Sequence, residues 1–183
     1  MTAALIVLAV VVLALVVSVL VYNGLVRRRN QVDSAWSQMD VQRRQRYDLI
    51  PKLVETVKGY AGHEQGTLDA VTEARARALS AQDPADQASA ESMLTSALKG
   101  LFVVAESYPD LRASQNFLEL QQELSATADR AAYARQYYND AVMTYNNAVT
   151  TVPQKVFAAV FRFRTREYFQ ASGEERGPVR VQF

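Results

Sequence analysis

The chain has 183 residues with no cysteine and one histidine, which excludes disulfides, thiolate zinc sites, cysteine nucleophiles and histidine-based metal clusters together. Its net charge of +1 argues against nucleic acid as a partner, because that binding depends on neutralising many phosphates. The charge is nevertheless segregated: seven basic to three acidic residues from Arg27 to Lys52, seven to thirteen from Leu53 to Gln154, and six to three from Lys155 onward.

From Ala3 to Val21 there is no charged residue, and Ser18 is the sole hydroxyl. At about 1.5 Å per residue a helix over this run covers roughly 28 Å, close to the hydrocarbon thickness of a bilayer. Tyr22 follows at interfacial depth, and Arg27, Arg28 and Arg29 form a membrane-proximal basic group. No basic residue precedes the run and no small-x-small pattern closes it, so a retained anchor is expected rather than a cleaved signal. The positive-inside rule then puts the N-terminus outside and the body in the cytoplasm.

Beyond the anchor, Val32, Trp36, Met39, Arg43, Arg46, Ile50, Leu53, Val57 and Tyr60 recur at steps of four and three, the seam of a long helix that continues the anchor. Arg43 and Arg46 interrupt this seam. Either their stems lie along the bundle with heads in water or on a carboxylate, or they belong to a functional polar cluster with Asp40 and Arg135. Pro51 removes a backbone donor, which predicts a kink or break near Asp48 to Pro51, with Asp48 as a candidate cap. Gly59, Gly62 and Gly66 predict a second bend, after which the seam resumes at Leu68, Val71, Arg75 and Ala78.

Asp83 and Pro84 read as the N-cap and first residue of the next helix, which runs to Glu106 with Met93, Leu94, Ala97, Leu98, Leu101, Val104 and Ala105 as core candidates. Tyr108-Pro109 ends it. The following pattern is the most regular in the chain: Phe117, Leu120, Leu124, Thr127, Ala131, Ala134, Tyr138, Ala141, Tyr145, Ala148 and Val152. It predicts an extended helix whose buried tyrosines find partners in Asn139, Asn146 or Arg135. Pro153 stops it. Val156, Phe157, Val160, Phe161 and Phe163, interleaved with Lys155, Arg162, Arg164 and Arg166, either pack on the bundle or lie at a membrane interface. From Ala171 the composition is that of a disordered tail.

Motifs for chemistry are absent from the sequence. His63-Glu64 opens like a zinc-protease helix but lacks a second histidine four residues on. There is no phosphate-cradling glycine loop and no Gly-x-Ser-x-Gly. The single histidine serves neither a catalytic triad nor a di-iron bundle. No catalytic, cofactor-binding or metal residue is assigned.

A further series of segments runs through the chain in order: Tyr22-Asn23, Arg29-Asn30, Ala35-Trp36-Ser37 and Asp40-Val41-Gln42, then Asp48-Leu49-Ile50-Pro51 and the stretch from Leu53 to Ala61 with His63-Glu64. It resumes at Tyr108-Pro109-Asp110-Leu111, Asn116-Phe117, Leu124, Arg130, Tyr133-Ala134-Arg135, Tyr138 to Val142, Tyr145-Asn146, Pro153 and Arg166-Glu167-Tyr168-Phe169. On these segments the chain resembles the LemA family of bacterial membrane proteins. Arg43, where the family is mostly aliphatic, Gln45, usually basic, and Lys52, often Asn, depart from it.

The resemblance implies a single-pass protein of the bacterial inner (cytoplasmic) membrane with an antiparallel four-helix domain and no established catalytic residues. The expected architecture is therefore all-α: an anchor over 1–24 continuing into an elongated four-helix bundle with kinked long helices over 25–170, and a tail over 171–183. The expected function is a non-enzymatic membrane-anchored scaffold that binds envelope proteins or itself and needs no cofactor. The alternative, drawn from the two basic ends, is an anionic-lipid-binding or membrane-shaping protein.

Overall fold

A computed structural model describes residues 1–170, so the tail expected from 171 lies outside the described residues. Regular structure among these residues is entirely helical: α1 (Thr2–Ala61), α2 (Gln65–Ser80), α3 (Pro84–Glu106), α4 (Pro109–Arg112), α5 (Gln115–Thr150) and α6 (Gln154–Val160). The chain divides into two compact units, and α1 and α5 each contribute to both. The first comprises Met1–Ser37 with Gln136–Glu167, the second Gln38–Arg135 with the described residues 168–170.

In the first unit, the N-terminal third of α1 carries a sleeve of bare apolar side chains, Leu5 to Leu20 among them. It is long and apolar enough to cross a membrane. Beyond it, Leu25, Val32 and Ala35 of α1 are buried, as are Tyr138, Ala141, Val142, Tyr145, Ala148 and Val149 of α5. The alternation of alanine with tyrosine leaves room for rings. Trp36 stands at the margin of this core, half-buried, its ring 5.1 Å from that of Tyr138. The following chain is pinned back on α5: Asn146 Nδ2 donates to the Arg166 carbonyl at 2.9 Å and its Oδ1 accepts from the Arg166 amide at 2.8 Å. The Tyr138 hydroxyl donates to the Glu167 carbonyl at 2.8 Å, and the Arg166 guanidinium reaches Asp33 at 3.0 Å. For Tyr138 the partner is thus a backbone carbonyl and not Asn146, whose amide is already occupied by backbone. Burial raises the pKa of the Tyr138 hydroxyl above the ordinary value, with Arg166 opposing.

In the second unit, Ile50, Leu53, Val57 and Ala61 of α1 meet Leu68, Val71, Ala74 and Ala78 of α2 and Ala90, Leu94, Leu98, Leu101 and Ala105 of α3 in one core that Leu111, Phe117 and Leu124 complete. Burying a leucine of this kind contributes about 1.5 to 3 kcal/mol. The turn into α3 forms as expected: Asp83 Oδ1 accepts from the Asp86 amide at 2.7 Å and Pro84 opens the helix.

Three sequence expectations are corrected. The helix does not break at Pro51: α1 is continuous to Ala61, and Asp48 lies exposed inside it. Proline leaves the carbonyl four residues back without its helical donor. Here that carbonyl belongs to Tyr47, and Arg75 Nε from α2 donates to it at 2.8 Å, replacing the lost bond. The break falls at Gly62 to Glu64, within the glycine stretch where the second bend was expected. Second, Tyr60 is exposed and Ala61 takes its inward position, while Met93 is 52% exposed, about 100° around the helix from Leu94. Third, α5 ends at Thr150, so Val152 lies beyond it and is bare.

Candidate functional site

The polar residues on the α1 seam have partners, Arg43 in a buried position and Arg46 in a half-buried one. Arg43 is only 3% exposed; its Nη2 donates to Asp40 Oδ1 at 3.0 Å and its Nη1 donates to Gln87 Oε1. Gln87 is itself held by its Nε2, which donates to the Ala81 carbonyl at 2.9 Å. Asp40 turns its second oxygen to Arg44 Nε at 2.8 Å. One turn on, Arg46 Nη1 donates to Glu91 Oε2 at 2.9 Å and the Tyr47 hydroxyl donates to Glu91 Oε1. A buried guanidinium is tolerated only with such partners.

These side chains border a cavity of about 400 Å³ within the second unit, lined from α1 by Met39, Arg43 and Arg46, from α3 by Ala88, Glu91, Ser92, Thr95, Ser96 and Lys99, and from α5 by Ala128, Ala131, Ala132 and Arg135, with Phe169 closing one side. The void follows from the sequence: α3 and α5 turn Ala and Ser toward the long arginines of α1, and small residues cannot fill the space. Of the cluster anticipated from sequence, Arg46 and Arg135 line the same cavity. Asp40 does not, being engaged with Arg43 and Arg44.

Sequence reasoning missed Glu91, Lys99, the three hydroxyls and Phe169. Glu91 had one legible signal, a charge beside the apolar line of α3. Tyr47 was missed too. Burial first, then the charge of Glu91 and the hydrogen bond to it, hold its hydroxyl far above its ordinary pKa, and Arg43 and Arg46 only partly offset this. No group of three or more metal-ligating side chains occurs among the described residues, and His63 is exposed.

A second polar and aromatic assembly lies in the first unit. The Tyr22 ring, one residue past the apolar run, is met edge-on by Phe161 at 4.9 Å and Phe163 at 5.8 Å, and the Arg29 guanidinium stands 5.5 Å above Phe163. Arg27 is exposed and Arg28 half-buried. Beside this clasp Val152, Val156 and Val160 are 78%, 61% and 69% exposed.

Protein LemA of Metamycoplasma hominis is 27% identical over 158 residues, covering 86% of this chain and 72% of that protein. Magnetosome protein MamQ 2 of Paramagnetospirillum magneticum is 32% identical over 83 residues, which is 45% of this chain and 30% of that protein. Magnetosome protein MamQ of Magnetospirillum gryphiswaldense is 29% identical over 83 residues with the same coverage, so the chain spans under a third of the length of these magnetosome proteins. The LemA family model matches residues 35–183, and on that extent the chain belongs to the LemA family.

Proposed function

We propose that the protein is a single-pass protein of the bacterial cytoplasmic membrane, anchored by residues 1–24, whose body over 25–170 is an antiparallel four-helix bundle on the cytoplasmic side. It works without catalysis, as a scaffold that binds envelope proteins or further copies of itself. The observation that carries this reading is the single helix α1: its first third is bare and apolar, while its remainder supplies buried residues to both units. A body built on the anchor's own helix is fixed to the membrane, as a tether for partners requires. The alignment of the chain, over 83 residues, with proteins named for the magnetosome supports reading it as a component of a larger structure. The test is cross-linking in cells followed by purification of the intact chain in detergent. Capture of the same membrane protein, or of a second copy, across replicate preparations is expected. A monomer that captures neither overturns the scaffold reading.

The clasp at Tyr22 favours a second reading, an anionic-lipid contact. Phe161 and Phe163 bring α6 beside the residue that borders the apolar run, and its bare valines stand among Lys155, Arg162 and Arg164. Apolar side chains with adjacent basic ones are the composition of an interfacial segment. Because the chain has no cysteine, Val156→Cys can carry a single polarity-sensitive dye in full-length protein in nanodiscs. A blue-shifted dye reached by lipid-borne quenchers, more so with anionic lipid, is expected; a dye that emits as in water and escapes quenching removes this reading.

A further inference from the structure

We infer that the cavity of the second unit is a binding site for a phosphoryl group carried by a small molecule. This stands independently of the membrane and scaffold readings, since every lining residue belongs to one unit.

Among the described residues, the wall holds four cationic side chains, Arg43, Arg46, Lys99 and Arg135, and one carboxylate, Glu91. Both oxygens of Glu91 are engaged, by Arg46 and by Tyr47. Asp40, behind the wall, divides its oxygens between Arg43 and Arg44. The local balance is therefore positive, and in a recess walled by protein that field attracts an anion. The remaining polar groups of the wall are Ser92, Thr95 and Ser96, whose hydroxyls can donate. Arg46 contributes a further donor: its Nε is buried and has no hydrogen-bond partner. A buried cationic donor left unsatisfied calls for an acceptor.

The chemistry of the occupant follows from this inventory. A cation is excluded by charge, and a neutral sugar would need acceptors where the one carboxylate is already bonded. Donor-bearing residues line the cavity from α1, α3 and α5, three sides, which suits a tetrahedral phosphoryl group better than a flat carboxylate. The volume of about 400 Å³ lies at the small end of ligand pockets, and Met39, Ala131 and Phe169 offer an apolar wall for the organic part. Such a group could arrive on a soluble phosphorylated metabolite or as a phospholipid headgroup.

The test is calorimetric titration of full-length protein, in a phosphate-free maltoside detergent, with inorganic phosphate and with glycerol 1-phosphate at constant ionic strength set by chloride. Saturable binding at one site is expected for both. Lys99→Gln and Arg135→Gln should each raise Kd at least tenfold, while Lys58→Gln, on α1 outside the cavity, should leave it unchanged. Lys99 is exposed, so its variant should fold, which its unchanged melting without phosphate would verify. In nanodiscs, loss of the phosphate titration when phosphatidic acid is present identifies the headgroup as the source; titration kept in phosphatidylcholine and phosphatidic acid discs alike identifies a soluble ligand. Absence of saturable heat, or equal Kd for Lys99→Gln and Lys58→Gln, overturns the inference.

Discussion

Tyr47 donates to Glu91 from a buried position, so ionising it would set two anions together where water solvates them poorly. In the unfolded chain its hydroxyl titrates at the ordinary value of about 10. In the folded chain the value is raised, by burial first and by Glu91 second. The folded protein therefore keeps a proton that the unfolded chain releases. The stabilisation is complete below about pH 10 and drains away as pH rises beyond it. Tyr138 and Tyr145 shift in the same direction, chiefly through burial. Denaturation midpoints measured between pH 8 and 11 should fall from about pH 10 upward, and Tyr47→Phe should flatten that fall. Equal alkaline slopes for the two proteins would contradict the assignment. At Trp36 the expectation is smaller than the seam implied. A fully buried tryptophan truncated to alanine costs about 3 to 5 kcal/mol. This ring is half-buried and keeps one aromatic neighbour, Tyr138, so Trp36→Ala should cost about 2 kcal/mol. Circular dichroism is the suitable probe, because the variant loses the chain's single tryptophan.

Among the elements, those written in local chemistry were readable and those completed by distant residues were not. Asp83-Pro84 carries its own cap, so the start of α3 could be read directly. Pro51 looked like a break because the group that compensates for it, Arg75, lies on another helix. The cavity shows the same division. Arg46 stood out as a charge on an apolar seam and Arg135 as a candidate partner for the buried tyrosines of α5, whereas Glu91 and Lys99 acquire their place only from the register of α3 against α1. The clasp of Phe161 and Phe163 on Tyr22 joins opposite ends of the described chain and has no local signature. The Pro51 and Arg75 pairing makes a quantitative prediction. Arg75→Met leaves the Tyr47 carbonyl without a donor and should cost about 1.5 to 3 kcal/mol, the range for a hydrogen bond to a charged group. In a Pro51→Ala background the backbone amide at 51 can serve that carbonyl, so the cost of Arg75→Met should shrink by at least about 1 kcal/mol. Identical costs in the two backgrounds would show that Arg75 does not replace the helix bond.

For the whole molecule, the proposed orientation rests on the basic residues that follow the apolar run. Arg27, Arg28 and Arg29 lie within the distance over which lysine and arginine set topology, and no acidic residue occurs before Asp33. Arg29 also stands over Phe163, so the same group on which the proposed orientation rests helps hold α6 beside Tyr22. A C-terminal fusion to a fluorescent protein that matures only in the cytoplasm should glow, and a fusion to a phosphatase active only outside it should be silent. Replacing Arg27, Arg28 and Arg29 together by glutamine removes the bias, and a measurable fraction of phosphatase activity should appear. Glutamine isolates the positive charge, since acidic residues weigh little in this rule. An active phosphatase fusion on the unaltered chain would place the body outside. Partners of the proposed scaffold would then have to be sought on the outer face of the membrane.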